Sequence, residues 1–256
     1  LKILITAGGT SEKIDSVRTI TNTATGRLGS LIADAFLEDK ANDVTCLCAR
    51  NAVRPQNPRA RILPVSDVRS LQKAVEQEMR LHSFDAVIHS MAVSDYTVKY
   101  SVPSESLAAQ LAAFIHGTDM SPEYLAERIH YALLACGGNV GHGKISSDIE
   151  HLFLCLEKTP KIIGLFKKLQ PKTVLVGFKL LSGVEESDLL RAAEGLMERN
   201  GCDFVLANDK KNIEGERHEA ILLGRDHSLV RLGTKADIAA AVRDRVTRKI
   251  EGDGKK

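Results

Sequence analysis

The chain has 256 residues, 43% of them hydrophobic and 27% charged, which is enough to bury a sizeable core, most simply as one domain. A net charge of +2, no tryptophan and an aromatic content of 4% argue against a nucleic-acid partner, which usually requires a concentrated basic face and stacking rings. No run of eighteen apolar residues exists, and the opening LKILITAGGT reads as a strand and loop rather than a basic, apolar leader, so the expectation is a cytoplasmic protein with neither membrane nor export segment.

In chain order, short apolar runs alternate with helical patterns. KILIT (2–6), VTCLCA (44–49), DAVIHSMA (85–92), TVLVGF (173–178) and FVLAN (204–208) are β-branched and continuous, as expected of parallel strands covered on both faces. Between them GRLGSLIADAFLED, SDVRSLQKAVEQEMRLH, PKIIGLFKKLQ and VEESDLLRAAEGLMERN carry apolar residues at helical spacing, with Ser, Thr, Asp or Pro near their starts. This rhythm predicts an α/β fold: a doubly wound, mostly parallel, Rossmann-like sheet. EAILLGRDHSLVRLG reads as a C-terminal β-hairpin turning at RDHS, and TKADIAAAVRDRVTRKI as a closing helix opened by Thr234. The tail 251–256 is expected to fray.

Residues 97–143 break the rhythm. ESLAAQLAAFIHG and SPEYLAERIHYALLA read as helices, and the glycine-rich CGGNVGHG continues neither. The segment leaves the carboxyl end of the third strand, so it reads either as a lid over the crevice where open α/β sheets bind ligands or as a decorative insertion. The cysteines Cys46, Cys48, Cys136, Cys155 and Cys202 form an odd set without CxxC spacing, mostly within apolar runs, and read as small buried hydrophobes rather than metal ligands or disulfides.

The first glycine loop departs from the dinucleotide-binding pattern, in which GxGxxG turns a strand directly into a helix. After ITAGGT the stretch SEKIDSVRTITN intervenes before GRLG, leaving more space above the first strand than a pyrophosphate requires. Gly8, Gly9 and Thr10 can present backbone N–H groups while Thr25 and Gly26 lie at the helix start, so an anion could be held from two sides; equally, the glycines could simply turn the chain and Thr25 cap the helix. Asn22 is not at a capping position and could donate to a developing oxyanion. Asp95, after the third strand, suits ribose hydroxyls or Mg2+, or else caps a turn. Lys144, in GKISSD, suits phosphate charge or is a solvated lysine. In EKTPKII, Pro160 is expected to open a helix flanked by Lys158 and Lys161, and Phe178, ending the fourth strand, flanks a nucleobase or belongs to the core.

ITAGGTSEKID, VRTITNTATGRLG, MAVSDYTV, KISS, KTPKII, LVGFKL and FVLAND, in this order, closely resemble the phosphopantothenate-cysteine ligase family, also called phosphopantothenoylcysteine synthetases, over residues 1–233. The excursion before KISS is similar to the streptococcal-type monofunctional enzymes, and with nothing before the first strand the chain resembles a stand-alone form. The resemblance implies activation of the carboxylate of 4'-phosphopantothenate by CTP or ATP with Mg2+ and no flavin, release of pyrophosphate, and attack by L-cysteine, in a homodimer. By the same resemblance, Asn22 matches the asparagine of the family's N-x-x-S/T-G motif and serves amide formation, with Thr25 and Gly26 beside it at the substrate. Lys144 matches the lysine of K-I-x-x and serves nucleotidylate formation. Asp95 with Met91, residues 159–163 (including Pro160, Lys161, Ile162 and Ile163) and Phe178 match nucleotide-binding positions; Gly8, Gly9 and Thr10 are expected to bind the nucleotide too, from their place in the first glycine loop rather than from the resemblance. Two departures stand out: Lys161 replaces the acid of the family's N-P-D-I-V, and Gly195 and Arg199 stand where many members carry nucleotide-touching lysines, so the preferred base is open. The competing readings are an NADP-dependent reductase and a catalytically inactive nucleotide-binding module. The first rests on Arg50 after the second strand and is opposed by the missing GxGxxG and the absence of Tyr-x-x-x-Lys near the fourth strand.

Overall fold

In the computed structural model, which describes residues 1–115, 121–138 and 143–253, the chain runs through nineteen elements. In order they are β1 (Lys2–Ala7), β2 (Ser11–Lys13), β3 (Thr19–Thr21), α1 (Arg27–Leu37), β4 (Asp43–Ala49), β5 (Arg61–Val65), α2 (Val68–Leu81), β6 (Ala86–His89), β7 (Tyr96–Pro103), α3 (Ser104–Ile115), α4 (Pro122–Ala135), β8 (Leu152–Lys158), α5 (Ile163–Leu169), β9 (Val174–Leu181), α6 (Glu186–Asn200), β10 (Phe204–Glu214), β11 (Arg217–Gly224), β12 (Leu229–Thr234) and α7 (Lys235–Asp253). They group into two compact units, one of Leu1–Thr10, Asn22–Val93 and Pro160–Lys256, the other of Ser11–Thr21 and Ser94–Thr159.

The first unit is built on an eight-stranded sheet in the order β12-β11-β10-β9-β6-β1-β4-β5, parallel from β10 to β5 and antiparallel in β10-β11-β12. α1 and α7 pack together on one face, while α2, α5 and α6 form a contiguous layer on the other. Ile3, Leu4 and Ile5 of β1 are wholly buried because helices cover both faces, which is why the strand reads as an unbroken apolar run. α2 is set by a capping box: Asp67 accepts from Ser70 N at 2.7 Å, and the Ser70 hydroxyl accepts from Asp67 N at 3.0 Å. α7 opens in the same way, with Thr234 and Asp237 bonded reciprocally. The expected C-terminal hairpin is β11-β12, closed by Gly224 N donating to Ser228 O at 2.9 Å with RDHS in the turn.

Several expectations are corrected. The last parallel strand continues from 208 to Glu214 and turns at Gly215, so the antiparallel part has three strands rather than a lone hairpin. RILPV is the edge strand β5, where Pro64 is tolerated because no neighbour on the open side needs its N–H. Pro160 does not open a helix; α5 begins at Ile163, after a turn bonded from Leu165 N to Ile162 O. Phe178 does not end its strand, since β9 runs on to Leu181. α7 extends through Asp253, so 251–253 are helical rather than frayed, and 254–256 lie outside the described residues.

The second unit holds the antiparallel ribbon β7-β8, the short hairpin β2-β3 lying against β7, and the paired helices α3 and α4. The excursion expected at 97–143 is therefore part of a larger body, opened by β7 and closed by β8, which hydrogen-bond from Tyr96↔Lys158 to Pro103↔Leu152. Both expected helices form; 116–120 and 139–142, which include the end of the first and part of CGGNVGHG, lie outside the described residues. Tyr100, Val102, Leu107 and Cys136 make a small separate core, with the Tyr100 hydroxyl donating to Leu133 O at 2.6 Å. All five cysteines are free, and all but the half-buried Cys155 are buried, as expected of apolar fillers. Among the described residues no helix is long and apolar enough to cross a membrane.

Candidate active site

In the first unit the carboxyl ends of β1 and β6 are laced together by backbone bonds. Ala92 N donates to Gly8 O at 2.9 Å, Thr10 N to Ala92 O at 3.1 Å, and Asn22 N to Thr10 O at 3.2 Å. Asn22 thus sits beside the glycine loop despite the intervening residues 11–21. Its side-chain Nδ2 donates to Ala92 O at 3.2 Å. Because that carbonyl can only accept, the bond fixes which end of the amide is nitrogen and leaves its second N–H for a ligand.

The glycines are where side chains will not fit. Gly8 has φ of 97°, and a Cβ there would lie 2.6 Å from Ala49 Cβ. Gly26, with φ of 77°, caps α1 in the left-handed region, and a Cβ on it would lie 3.0 Å from Gly8 N. The loop after β1 and the start of α1 therefore meet backbone to backbone. Thr25 is exposed and precedes the N-cap residue Gly26, which has no side chain to accept; the Thr25 hydroxyl accepts instead from Arg27 N at 3.4 Å. Gly8, Gly9 and Gly26 are thus brought together as expected of an anion cradle, but the buried Thr10 is not a free donor, because its N–H is already taken by Ala92 O.

The other expected positions of this unit divide between core and surface. Met91 is buried, with its N–H on Thr6 Oγ1 at 3.2 Å, so it supports the β6 end from within. Ile162 is buried in the main core; Ile163 and Phe178 pack against it half-buried, with Phe178 paired to Leu206 in mid-strand. Pro160 and Lys161 are exposed. A Cβ on Gly195 would come 2.9 Å from the Arg199 guanidinium, so that cation lies over the glycine on α6. His89, buried between Thr6 Oγ1 at 2.9 Å and the Phe166 ring, is held neutral by burial, its pKa lowered to about 4.

Sequence reasoning missed Asp209, the last letter of FVLAND. Its carboxylate accepts from Gly183 N at 3.0 Å, Val184 N at 3.1 Å and Lys211 N at 3.0 Å, tying down the loop after β9, and these amides hold its pKa at about 2. Only its place at the end of a motif hinted at this.

The second unit carries Asp95 and Lys144. Asp95 is exposed at the start of β7, and its carbonyl accepts from Thr159 N at 3.0 Å. Lys144 is exposed between Gly143, with φ of 78°, and the buried Ile145. Asp15 and Arg18, also passed over in the sequence, tie this segment to the loop before β3. Among the described residues no cluster of three or more His, Cys, Asp or Glu side chains can hold a metal ion.

The first unit is an open, doubly wound α/β sheet of Rossmann type with a glycine-lined rim. The chain belongs to the family of the DNA/pantothenate metabolism flavoprotein C-terminal domain, whose family model matches residues 1–107 and 138–250. It is 33% identical over 247 residues to the coenzyme A biosynthesis bifunctional protein CoaBC of Thermococcus kodakarensis, covering 96% of this chain and 50% of that protein. The chain spans about half the length of the curated relatives it matches. Its fold is similar to the crystal structure of the DNA/pantothenate metabolism flavoprotein from Streptococcus pneumoniae, with a TM-score of 0.78, 34% identity, and coverage of 97% of this chain and 99% of that one. A Cab2 mutant in complex with phosphopantothenate-cysteine shares the fold at 18% identity, with a TM-score of 0.68 and coverage of 98% and 86%.

Proposed function

We propose that this chain joins 4'-phosphopantothenate to L-cysteine through an acyl-nucleotidylate, in the cytoplasm and as a homodimer. The observation that carries the reading is the Gly8–Gly26 contact with Asn22 bonded into the same rim, in a chain of this family. Relatives named for coenzyme A biosynthesis and a shared fold bound to phosphopantothenate-cysteine support the substrate class.

A bare carboxylate is a poor electrophile. Its oxygen attacks the α-phosphorus of CTP or ATP, an acyl-phosphate bond forms and pyrophosphate leaves. The cysteine amine then attacks the acyl carbon, the nucleoside monophosphate leaves and the amine sheds a proton. The first step gains negative charge on phosphoryl oxygens, which calls for a cation, and this is the role we give Lys144. Mg2+ would accompany the nucleotide phosphates and help neutralise their charge. The second step gains charge on the acyl oxygen, where the spare N–H of Asn22 serves. Gly8, Gly9 and the first turn of α1 hold phosphate, with Thr10 bracing the loop through its bond to Ala92 O and Thr25 and Gly26 beside the substrate. In the first unit residues 160–163 and Phe178 are assigned to the nucleotide, with Met91 and Ile162 acting from the core, and in the second unit Asp95 carries the same assignment.

The test is pyrophosphate release on mixing the protein with phosphopantothenate, cysteine, Mg2+ and either CTP or ATP. Release with one or both nucleotides that requires phosphopantothenate is expected, and the faster nucleotide identifies the base. Silence with both would reject the reading.

A further inference from the structure

Two segments far apart in sequence are fastened together on both sides of Lys144. The side chain of Asp15 is 1% exposed and divides its oxygens between two tasks. Oδ1 accepts the amides of Val17 at 2.8 Å and Arg18 at 2.7 Å, which closes a local turn. Oδ2 accepts the amide of Ile145 at 3.2 Å and meets Arg18 Nε at 3.0 Å. Arg18 then donates from its other guanidinium nitrogen to Ile145 O at 2.6 Å, and Ser16 N donates to Gly143 O at 3.1 Å. The backbone on either side of Lys144 is thereby fixed, while the lysine side chain is exposed and forms no hydrogen bond or ion pair among the described residues.

This arrangement answers a specific difficulty. Lys144 follows a glycine in the left-handed region and carries a long flexible stem, so little in its own sequence would hold it in one place. Catalytic cations must be delivered accurately, and a misplacement of about 1 Å can cost on the order of 10²-fold. Burial alone would push the Asp15 carboxyl up, but the amides of Val17, Arg18 and Ile145 and the charge of Arg18 outweigh it and hold the group below its ordinary value. The clasp is therefore ionised, and its hydrogen bonds are charge-assisted.

We infer that Asp15 is the positioning residue of Lys144: its Oδ2, together with the Arg18 guanidinium, holds the peptide at Ile145 so that the lysine is presented for nucleotidylate formation. This rests on the role given to Lys144 above.

Asp15→Asn separates the two tasks, because the amide oxygen can keep the local turn while its NH2 replaces Oδ2 and faces the donors of Ile145 and Arg18. Asp15→Ser is the second variant; its hydroxyl can support the turn but is too short to reach Ile145. In both, hydrogen exchange at the Ile145 amide should rise about tenfold or more while β7-β8 stays protected. Single-turnover pyrophosphate release should fall about tenfold or more, as misplacement of a catalytic group requires. Amide formation from chemically prepared acyl-nucleotidylate and cysteine should stay within about twofold, since that step does not use Lys144. Unchanged pyrophosphate release, equal loss of both steps, or failure of both variants to fold would overturn the inference. If the parent protein and Lys144→Ala behave as proposed while Asp15→Asn matches the parent, only the clasp falls; if the parent releases no pyrophosphate, the function falls with it.

Discussion

The carbonyl of Asn22 rests against Gly9: a methyl group on Gly9 would lie 2.1 Å from that oxygen. The contact joins the loop after β1 to the strand of chain that returns from residues 11–21, and it sets where the Asn22 amide points. Asn22 O also accepts from Ala24 N at 2.9 Å, so the oxygen cannot retreat without unravelling the approach to α1.

Gly9→Ala should therefore destabilise the protein by about 1–3 kcal/mol, the usual cost of overpacking. Amide formation should suffer more than nucleotide binding, because Asn22 is what moves. Urea midpoints together with a nucleotide titration check this; a midpoint and an amide-forming rate equal to the parent's would show that the contact is not tight in solution.

Lys144→Ala should abolish pyrophosphate release in a single turnover. Loss of one charge-stabilising donor costs on the order of 3 kcal/mol of barrier, more than a hundredfold in rate. Normal release would remove the lysine from the mechanism.

Stability should decline in mild acid. His89 and His218 have folded pKa values of about 4; burial lowers both, and the Lys235 charge adds to the effect at His218. Both fall below the unfolded value of about 6.5, so the unfolded chain binds more protons. Their contribution is complete above that value and is lost as pH falls toward 4. Asp209, at about 2, changes nothing in this window. Urea midpoints measured from pH 7.5 to 4.5 should fall, and His89→Gln should flatten the slope; a level profile in the parent would contradict it.

Asp67→Ala should cost about 1 kcal/mol through the lost cap of α2 while leaving both half-reactions unchanged. It separates general stability from effects at the rim, and thermal melts with pyrophosphate assays report both.

The parallel strands were legible because burial on both faces leaves an uninterrupted apolar run, as in KILIT and VTCLCA. β5 was not, because Pro64 reads as a breaker until the strand is known to lie at an edge. β8 hid behind its exposed Phe153, Leu154 and Leu156, whereas β7 carries buried Val98, Tyr100 and Val102 at a period of two, a strand signal passed over in reading 97–143 as one excursion. The glycines of the rim were readable as such, whereas the contact of Gly8 with Gly26 depends on how the detour through 11–21 closes. Asp15 and Asp209 left almost no signal. Their carboxylates accept backbone amides, and a bond such as Asp15 to Ile145 spans too much sequence to leave a local pattern.

The most direct test of the account is a single turnover of Asn22→Ala with radiolabelled nucleotide and phosphopantothenate, followed by addition of cysteine. Labelled acyl-nucleotidylate should accumulate to the enzyme concentration with pyrophosphate released, and amide should then form about a hundredfold more slowly than in the parent. Equal loss of nucleotidylate and amide, or amide formed at the parent rate, would contradict the division of labour between Asn22 and Lys144.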